Sequence, residues 1–506
     1  MSPEFRKLTY ALLGVSLLSA CAPADVTKHA VQETVTKDLA AVYQHGEEAS
    51  ALKLEDVLAR ALRYNLDTKV AELEAIIGRD DVTLDALAAL PSVSGKMQRV
   101  GRNNKGGSSS FSLLTGQQSL QPSISSDQYR TTYQLNMEWN LLDAGINIAR
   151  ARSSSDRALI AQERRRKIYH GVVQDTYSAF WRAAAAQESL PMIDGLIQKS
   201  RDQIKTMDDE MAAGIVPLST TQQRKAQLLD KRKQLNDLKE GLMMAEIELK
   251  TLIDYPLDQP IKLDLEGRDW LSVGSIPQIK GDILQLEETA FQNRPELREE
   301  ILNKRISSRD IKLSVLETIP GFSIFTGYNK DTNQYLAEPE WVDWTLSLTQ
   351  SITKLITLPA RHQRAVDVDE LSDKRRHALV AAIITQVHVS KARYEFLSNS
   401  YNEMHEADLN NQQILKRAED FSKVGMMAGP DLLNAEIDAS VSHINKAFAY
   451  ANVQDSYARF INTMGVDIWD ADNAGLTVPD FAQQLKKNLA NEEIFVASTE
   501  TTEAGG

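Results

Sequence analysis

Cysteine is all but missing: Cys21 stands alone among 506 residues, so no disulfide can form within the chain and the fold must hold without one. Positive charge is in deficit. The net charge of -13 argues against nucleic-acid binding as the main role. Aromatics are only 6 %, and 24 glycines with 15 prolines are few for this length, which favours long helices over a many-stranded sandwich. No apolar run approaches the ~20 residues that a membrane-spanning helix needs, so a chain like this can cross a bilayer only with strands. Catalytic signatures are missing as well. No Walker loop, HExxH, CxxC or GxSxG occurs, and the eight histidines include no zinc-type i, i+4 pair. The reading is of a protein that is not an enzyme and needs no cofactor or metal.

What is present begins at the N-terminus. Arg6 and Lys7 precede a short apolar run, Leu8 to Leu18, and together they have the form of a secretory signal peptide. The stretch Leu18-Ser19-Ala20-Cys21 resembles a bacterial lipobox, which places cleavage before Cys21 and an acyl chain on its thiol. An ordinary signal peptide with an incidental cysteine is the alternative. Ala22 follows, rather than the aspartate that often holds such lipoproteins at the inner membrane, and this points to the outer membrane.

The chain repeats itself. "ALRYNLDTKVAELEAIIGRDDVTLDALAALPSVSG" from Ala61 parallels "AFQNRPELREEILNKRISSRDIKLSVLETIPGFSI" from Ala290, with Pro91 matching Pro320 at an offset of 229. "YQLNMEWNLLDAGINIARAR" from Tyr133 parallels "WTLSLTQSITKLITLPARHQ" from Trp344 at an offset of 211, which also pairs Gly214 with Gly425. The offsets differ by 18, so the first copy carries a longer loop, read as the polar, Gly/Ser-rich "NNKGGSSSFSLLTGQQS".

Each copy reads helix, strand, loop, strand, very long helix, turn, helix. The first helix runs as one apolar-periodic segment from Val57 through Leu87 to Pro91. Strands are expected near 92–102, 130–142, 321–330 and 342–353. In the second, Tyr133, Leu135, Met137, Trp139 and Leu141 share one side and Thr132, Gln134, Asn136, Glu138 and Asn140 the other. Trp344, Leu346 and Leu348 repeat the pattern against Thr345, Ser347 and Thr349. A half-buried soluble sheet and a lipid-facing barrel strand both fit this alternation. Four strands are too few to close a barrel, which starts at ~8, so the chain either oligomerises or forms a small open sheet. Long helices are expected from Asn147 to about Ala212 and from about Leu358 to Lys423, each roughly 100 Å in length. Shorter helices, of about 38 residues, return from Gly214 and Gly425 to form a double-layer rod.

This duplicated plan, with "WNLLDAGINIARAR" at the strand-to-helix junction and the turns "AAGIVPLSTTQQRKA" and "KVGMMAGPDLLNAEID", resembles the TolC family of outer-membrane efflux channels over about residues 52–470. The resemblance implies a mainly α fold with a small β part. It implies a homotrimer, with a 12-stranded outer-membrane β-barrel continued by a 12-helix periplasmic α-barrel. It implies a periplasmic adaptor and an inner-membrane RND pump or ABC exporter as partners, and outer-membrane lipid as surroundings. Tyr133, Leu135, Met137, Trp139, Trp344, Leu346 and Leu348 would face that lipid. Ala213-Gly214-Ile215 and Val424-Gly425-Met426 match the tip triplets that meet the adaptor, the first departing from the pattern at Ala213. Asp431 matches the acidic ring that closes the periplasmic aperture, and Asn434 stands where a second aspartate is sometimes found.

The chain divides as signal peptide 1–20, tether 21–51, first repeat 52–254, inter-repeat equatorial segment 255–282, second repeat 283–470 and a largely disordered tail 471–506. "ERRRK" at 163–167 and "KRRH" at 374–377 lie at the 211 offset, and salt bridging to neighbouring helices, with Glu72 and Glu74 at a similar depth, is the expected role. A lipid-anchored coiled-coil scaffold or adhesin without a channel is the competing function. The strand alternation argues against it.

Overall fold

The computed structural model describes residues 27–39, 42, 51–118, 121–215, 217–265, 271, 276–470 and 476–490. An isolated helix α1 (Lys28–Leu39) precedes the first repeat. That repeat comprises α2 (Leu54–Tyr64), α3 (Leu66–Leu87), β1 (Ser92–Gly101), β2 (Gly107–Ser108), β3 (Ser123–Ile124), β4 (Tyr129–Asn140), α4 (Leu141–Ala212) and α5 (Leu218–Leu252). The second comprises α6 (Ile283–Asn293), α7 (Pro295–Leu316), β5 (Gly321–Asp331), β6 (Glu340–Thr349), α8 (Ile352–Lys423) and α9 (Gly429–Met464), and α10 (Val478–Ala490) follows.

The duplication extends to atomic register. Gly95 on β1 lies opposite Leu135 on β4, and Ile324 on β5 lies opposite Leu346 on β6. These are the same pair displaced by 229 and 211. The four strands form one antiparallel sheet in the order β1-β4-β5-β6, leaving β1 and β6 as its edges. The long Gly/Ser-rich loop falls in the first hairpin as expected, and β2 pairs with β3 inside it.

The single first helix expected from the periodicity is two. Asn65 takes an extended conformation (φ -57, ψ 133) and its side-chain oxygen accepts from the backbone N–H of Asp67 and Thr68, so it ends α2 and caps α3. In the second copy Pro295 does the same work by ring geometry: it removes an N–H and forces Arg294 out of the helical region. The apolar spacing runs through both breaks, which is why periodicity missed them.

The long helices begin six residues before the expected positions. Asn140 caps α4 through Leu142 and Asp143, and Ser351 caps α8 through Lys354, so each helix starts where its strand ends. Each has 72 residues and spans about 110 Å. Pro191 and Pro359 lie inside them without ending them.

Below the sheet, α3, α4, α7 and α8 lie side by side. Further down, α5 pairs with α4 and α9 with α8, and α4 packs on α9 to join the two antiparallel hairpins. The seams are heptad seams. Leu228, Leu235 and Leu242 on α5 are buried at seven-residue spacing, as are Val387, Tyr394 and Tyr401 on α8. The segment between repeats crosses these helices. Leu52 and Leu263 form a parallel bridge, Gln187 donates to the Leu263 carbonyl, and the hydroxyls of Tyr394 and Tyr401 donate to the carbonyls of Pro277 and Leu271.

One stretch of the tail departs from the expected disorder. Residues 478–490 are helical, with Phe481, Ala482 and Leu485 packed against Leu58, Leu62, Tyr169 and Trp469, and Lys486 bonded to Glu55 at 2.9 Å. Composition alone read the segment as disordered. Three apolar residues on one face of a polar helix were enough to dock it.

Candidate channel wall, tips and aperture

The sheet sorts its side chains by polarity. Strand pairing places Val93, Met97, Tyr133, Leu135, Met137, Trp139, Phe322, Ile324, Tyr328, Val342, Trp344, Leu346 and Leu348 on one face. Apart from Val100, Phe325 and Trp341, the other face is polar. There Gln134 donates to Asn329, Asn329 donates to Asp343 (3.0 Å each) and Arg130 pairs with Asp331 at 3.4 Å. Trp344 and Leu348 are more than 70 % exposed, whereas Asn329 and Asp331 are only 4 % exposed. The polar face is therefore the concave one. An apolar convex wall around a hydrogen-bonded concave wall is the arrangement a bilayer requires of a barrel segment, and the reverse of a soluble sheet.

At the far end of the rod the two turns share one geometry. Gly214 and Gly425 have φ of +70 and +73, and no neighbouring atom would crowd an added Cβ at either position. The N–H groups of Ile215 and Met426 reach back to the carbonyls of Glu210 and Phe421, closing the helix ends in the manner of a Schellman turn. Glycine is demanded here by the backbone alone. Ile215, Val424 and Met426 are each at least 66 % exposed, so both turns present uncovered apolar side chains.

Asp431 lies in the first turn of α9, where its carboxylate is favoured by the helix N-terminus. Its side chain meets Arg224 on α5, with Nη2 and Oδ2 3.0 Å apart. Asn434 projects one turn further on, and its Oδ1 is buried without a hydrogen-bond partner among the described residues. Arg224 escaped the sequence reading. Its signal was there: Arg224 and Lys231 are seven apart on α5, as Asp431 and Asp438 are on α9, and both ion pairs form. Lys199 on α4 adds a third pair, with Glu436. All three run from a base on the first hairpin to an acid on the second.

Higher up, α4, α8 and α9 meet at a buried polar cluster. Asp408 occupies the heptad position after Tyr401 and is bonded to Lys446 at 2.6 Å. His443 contacts Glu188 through Nε2 at 3.0 Å and Asp408 through Nδ1 at 3.4 Å. The hydrogen bond to Glu188 raises the His443 pKa, against the cost of burial. Burial works against the Asp408 carboxylate, but the bond from Lys446 and its charge hold its pKa below the usual range.

The first basic band is interhelical: its close partners are acids of the second repeat, and of the expected acids Glu74 adds an electrostatic attraction to Arg164. Arg164 donates to Glu299 at 3.0 Å, Lys167 pairs with Glu296, and Arg166 grips Asp467, all in the second repeat. Glu72 instead accepts from the Tyr169 hydroxyl, because its turn of α3 faces that ring. In the second band Arg376 pairs with Asp373 of its own helix, so the two bands are not equivalent. Cys21 lies outside the described residues. Among those residues no helix is long and apolar enough to cross a membrane.

Residues 57–253 match the outer membrane efflux protein family model. The fold is similar to that of MtrE, the outer-membrane channel of Neisseria gonorrhoeae, solved in its open state (15 % identity over 83 % of this chain and 94 % of that one, TM-score 0.63). It is similar also to CmeC, the outer-membrane channel of Campylobacter jejuni (13 %, 86 % and 89 %, TM-score 0.62), and to CusC (13 %, 84 % and 96 %, TM-score 0.62). No curated protein sequence matches the chain. Residues 57–253 are thus similar to the outer membrane efflux protein family, and over 83–86 % of its length the chain has the fold of these solved outer-membrane channels.

Proposed function

We propose that this chain is one third of an outer-membrane exit duct, passing cargo from an inner-membrane pump and a periplasmic adaptor to the outside without chemistry of its own. The observation that carries this is the open sheet: one face apolar except for Thr326 and, towards one end, Arg99, Thr131 and the Lys330–Glu340 pair, one polar face, and two unpaired edges at β1 and β6. Unpaired backbone groups cannot stay open in hydrocarbon, so the edges must be joined by further copies. Two copies would give eight strands, an interior just filled by its own side chains. Three give twelve and leave a lumen.

The tips support the adaptor. Ile215, Val424 and Met426 sit at the end of a rod of about 110 Å, where exposed apolar groups on both turns fit a partner that covers them end on. Asp431 and its pair with Arg224 lie next to those tips and suit a periplasmic aperture held closed by links between the hairpins. An acyl chain on Cys21 would add membrane affinity to that of the barrel.

Full chain reconstituted in planar bilayers tests the reading. Discrete conductance steps from an assembly of three chains by native mass spectrometry are expected. A monomer that stays off membranes and conducts nothing would favour the scaffold.

A further inference from the structure

The wall of helices has a covered face and a bare one. Leu141, next in the convex series of β4 after Trp139, shares a heptad line on α4 with Ile148 and with Tyr169, which is buried among α2 and α10. On α8 the same spacing joins the exposed Ile352 to Val387, buried against α6. The covering elements therefore lie on the convex side. Gly171 and Val389 stand two residues on from Tyr169 and Val387, about 200° round their helices, and face the concave side. A cavity of about 480 Å³ opens there among α4, α7, α8 and α9.

Four cations line it, Lys167, Arg294, Arg393 and Arg459, against one carboxylate, Glu296. Glu296 is already shared between Lys167 at 3.4 Å and Arg294 at 3.3 Å. Arg459 gives its Nε to Asp455 of its own helix at 2.8 Å, and Asp175 attracts the same guanidinium, but neither acid lines the cavity. Arg393 makes no ion pair or hydrogen bond among the described residues. Ser456 also lines the cavity, is only 1 % exposed, and its Oγ has no hydrogen-bond partner among those residues.

The first copy shows what has changed. There Arg182 on α4 donates to Glu248 on α5 at 2.9 Å. The offset of 211 carries that pair to Arg393 on α8 and Arg459 on α9. The offset holds at this end of the helices, since Asp254 and Gly465 are the same position and both have positive φ, 53 and 67. A base and an acid in one copy have become two bases in the other. Two guanidinium groups repel each other, and an anion between them is attracted to both. We infer that this cavity is an anion site on the inner wall of the duct. Arg393, Arg459, Lys167 and the Ser456 hydroxyl hold the carboxylate or phosphate of a passing organic anion, and Val389 meets its apolar part. This rests on the duct proposed above and adds a class of cargo. Glu248 turns an anion away from the corresponding place in the first copy, so each chain offers one site.

Titration calorimetry on the full chain in detergent tests the site, with phenyl phosphate as the probe and inorganic phosphate beside it. Saturable binding of one phenyl phosphate per chain is expected, tighter than that of inorganic phosphate and weakened by salt. Arg393→Gln should weaken it about tenfold, the loss of one charge-assisted bond, and Arg393→Lys should weaken it less. Arg182→Gln removes the equivalent cation, already paired with Glu248, and should leave binding unchanged. Equal binding by wild type and Arg393→Gln, or an equal loss from Arg182→Gln, overturns the site. Inorganic phosphate bound as tightly as the phenyl ester overturns its preference for an organic anion. In planar bilayers phenyl phosphate should lower the conductance of the wild type but not of Arg393→Gln. Binding without any effect on a conducting channel overturns the placement on the inner wall and leaves the duct standing. A chain that forms no channel removes the duct reading, and calorimetry still decides whether the site exists, because one chain supplies all its lining residues.

Discussion

Arg224 on the first helical hairpin reaches Asp431 on the second at 3.0 Å, and Lys231 meets Asp438 one heptad further along the same two helices. These partners differ by 207 in number, whereas the turns themselves differ by 211. The first hairpin is thus shifted by four residues, about 6 Å, relative to the second, and its turn extends further from the sheet.

Arg224 and Asp431 are both more than a third exposed, so each pair is worth only ~0.2–1 kcal/mol and is screened by salt. Three copies in the proposed trimer would multiply the effect. Arg224→Ala and Asp431→Ala should each shift the closed-to-open balance by roughly 1–2 kcal/mol, a factor of about 5–30. The readouts are basal conductance in planar bilayers and sensitivity to bulky antibiotics. The double variant should leak little more than either single one, since both remove one interaction. Unchanged conductance in both singles would remove the aperture assignment.

The tip glycines separate transport from leak. Valine at Gly425 would hold a β-branched residue at positive φ, costing about 1–2 kcal/mol in the turn and adding bulk where two tips must approach. Gly425→Val should abolish transport while trimer, barrel and basal conductance persist. Gly214→Val meets the same backbone strain and should act in the same direction. A fully transporting Gly425→Val channel would refute end-on contact at that turn.

Facing on the sheet can be tested with neighbouring residues. Leu135→Arg places a charge on the convex wall and should hinder membrane assembly by ~2–4 kcal/mol near the bilayer midplane. Asn136→Arg points to the concave wall and should assemble normally while altering ion selectivity. Heat-modifiable trimer yield in membranes distinguishes them, and equal losses from both would undo the assignment.

Repetition made most of this architecture legible. Two constant offsets located the hairpins, the extra loop and the turn glycines, because a duplicated unit imposes its spacing wherever it recurs. What escaped depended on contacts between units. Asn65 and Pro295 break a helix whose apolar spacing runs on undisturbed, and only cap chemistry betrays the break. Arg224 looked like any solvated base until its heptad partner on a distant helix was known. Glu72 had the right height for an ion pair but the wrong azimuth, and height was all that counting residues along a helix could supply.

The polar cluster at His443 gives the rod a pH dependence of known sign. Glu188 faces this histidine from α4, Asp408 from α8 and Lys446 from its own helix. Its pKa is raised chiefly by the bond to Glu188. A histidine whose folded pKa lies above its unfolded value of ~6.5 contributes stability that is complete below that pH. The contribution is lost as pH rises through the folded value. The link between the hairpins should therefore be firmest in mild acid and weaken towards alkaline pH. His443→Gln keeps a hydrogen-bonding side chain but cannot carry charge. Its melting temperature should fall below that of the wild type at pH ~5.5, by the roughly 1 °C that about 1 kcal/mol represents in a chain of 506 residues. The two proteins should converge as pH rises past the raised pKa. Glu188→Gln should reproduce the acid-side loss, because it removes the partner that raises the histidine. Asp408→Asn should destabilise at every pH in this range, since it leaves Lys446 charged and without its buried acid. A His443→Gln deficit that is equal at pH 5.5 and well above the raised pKa would show that the cluster is held by packing, not by protonation.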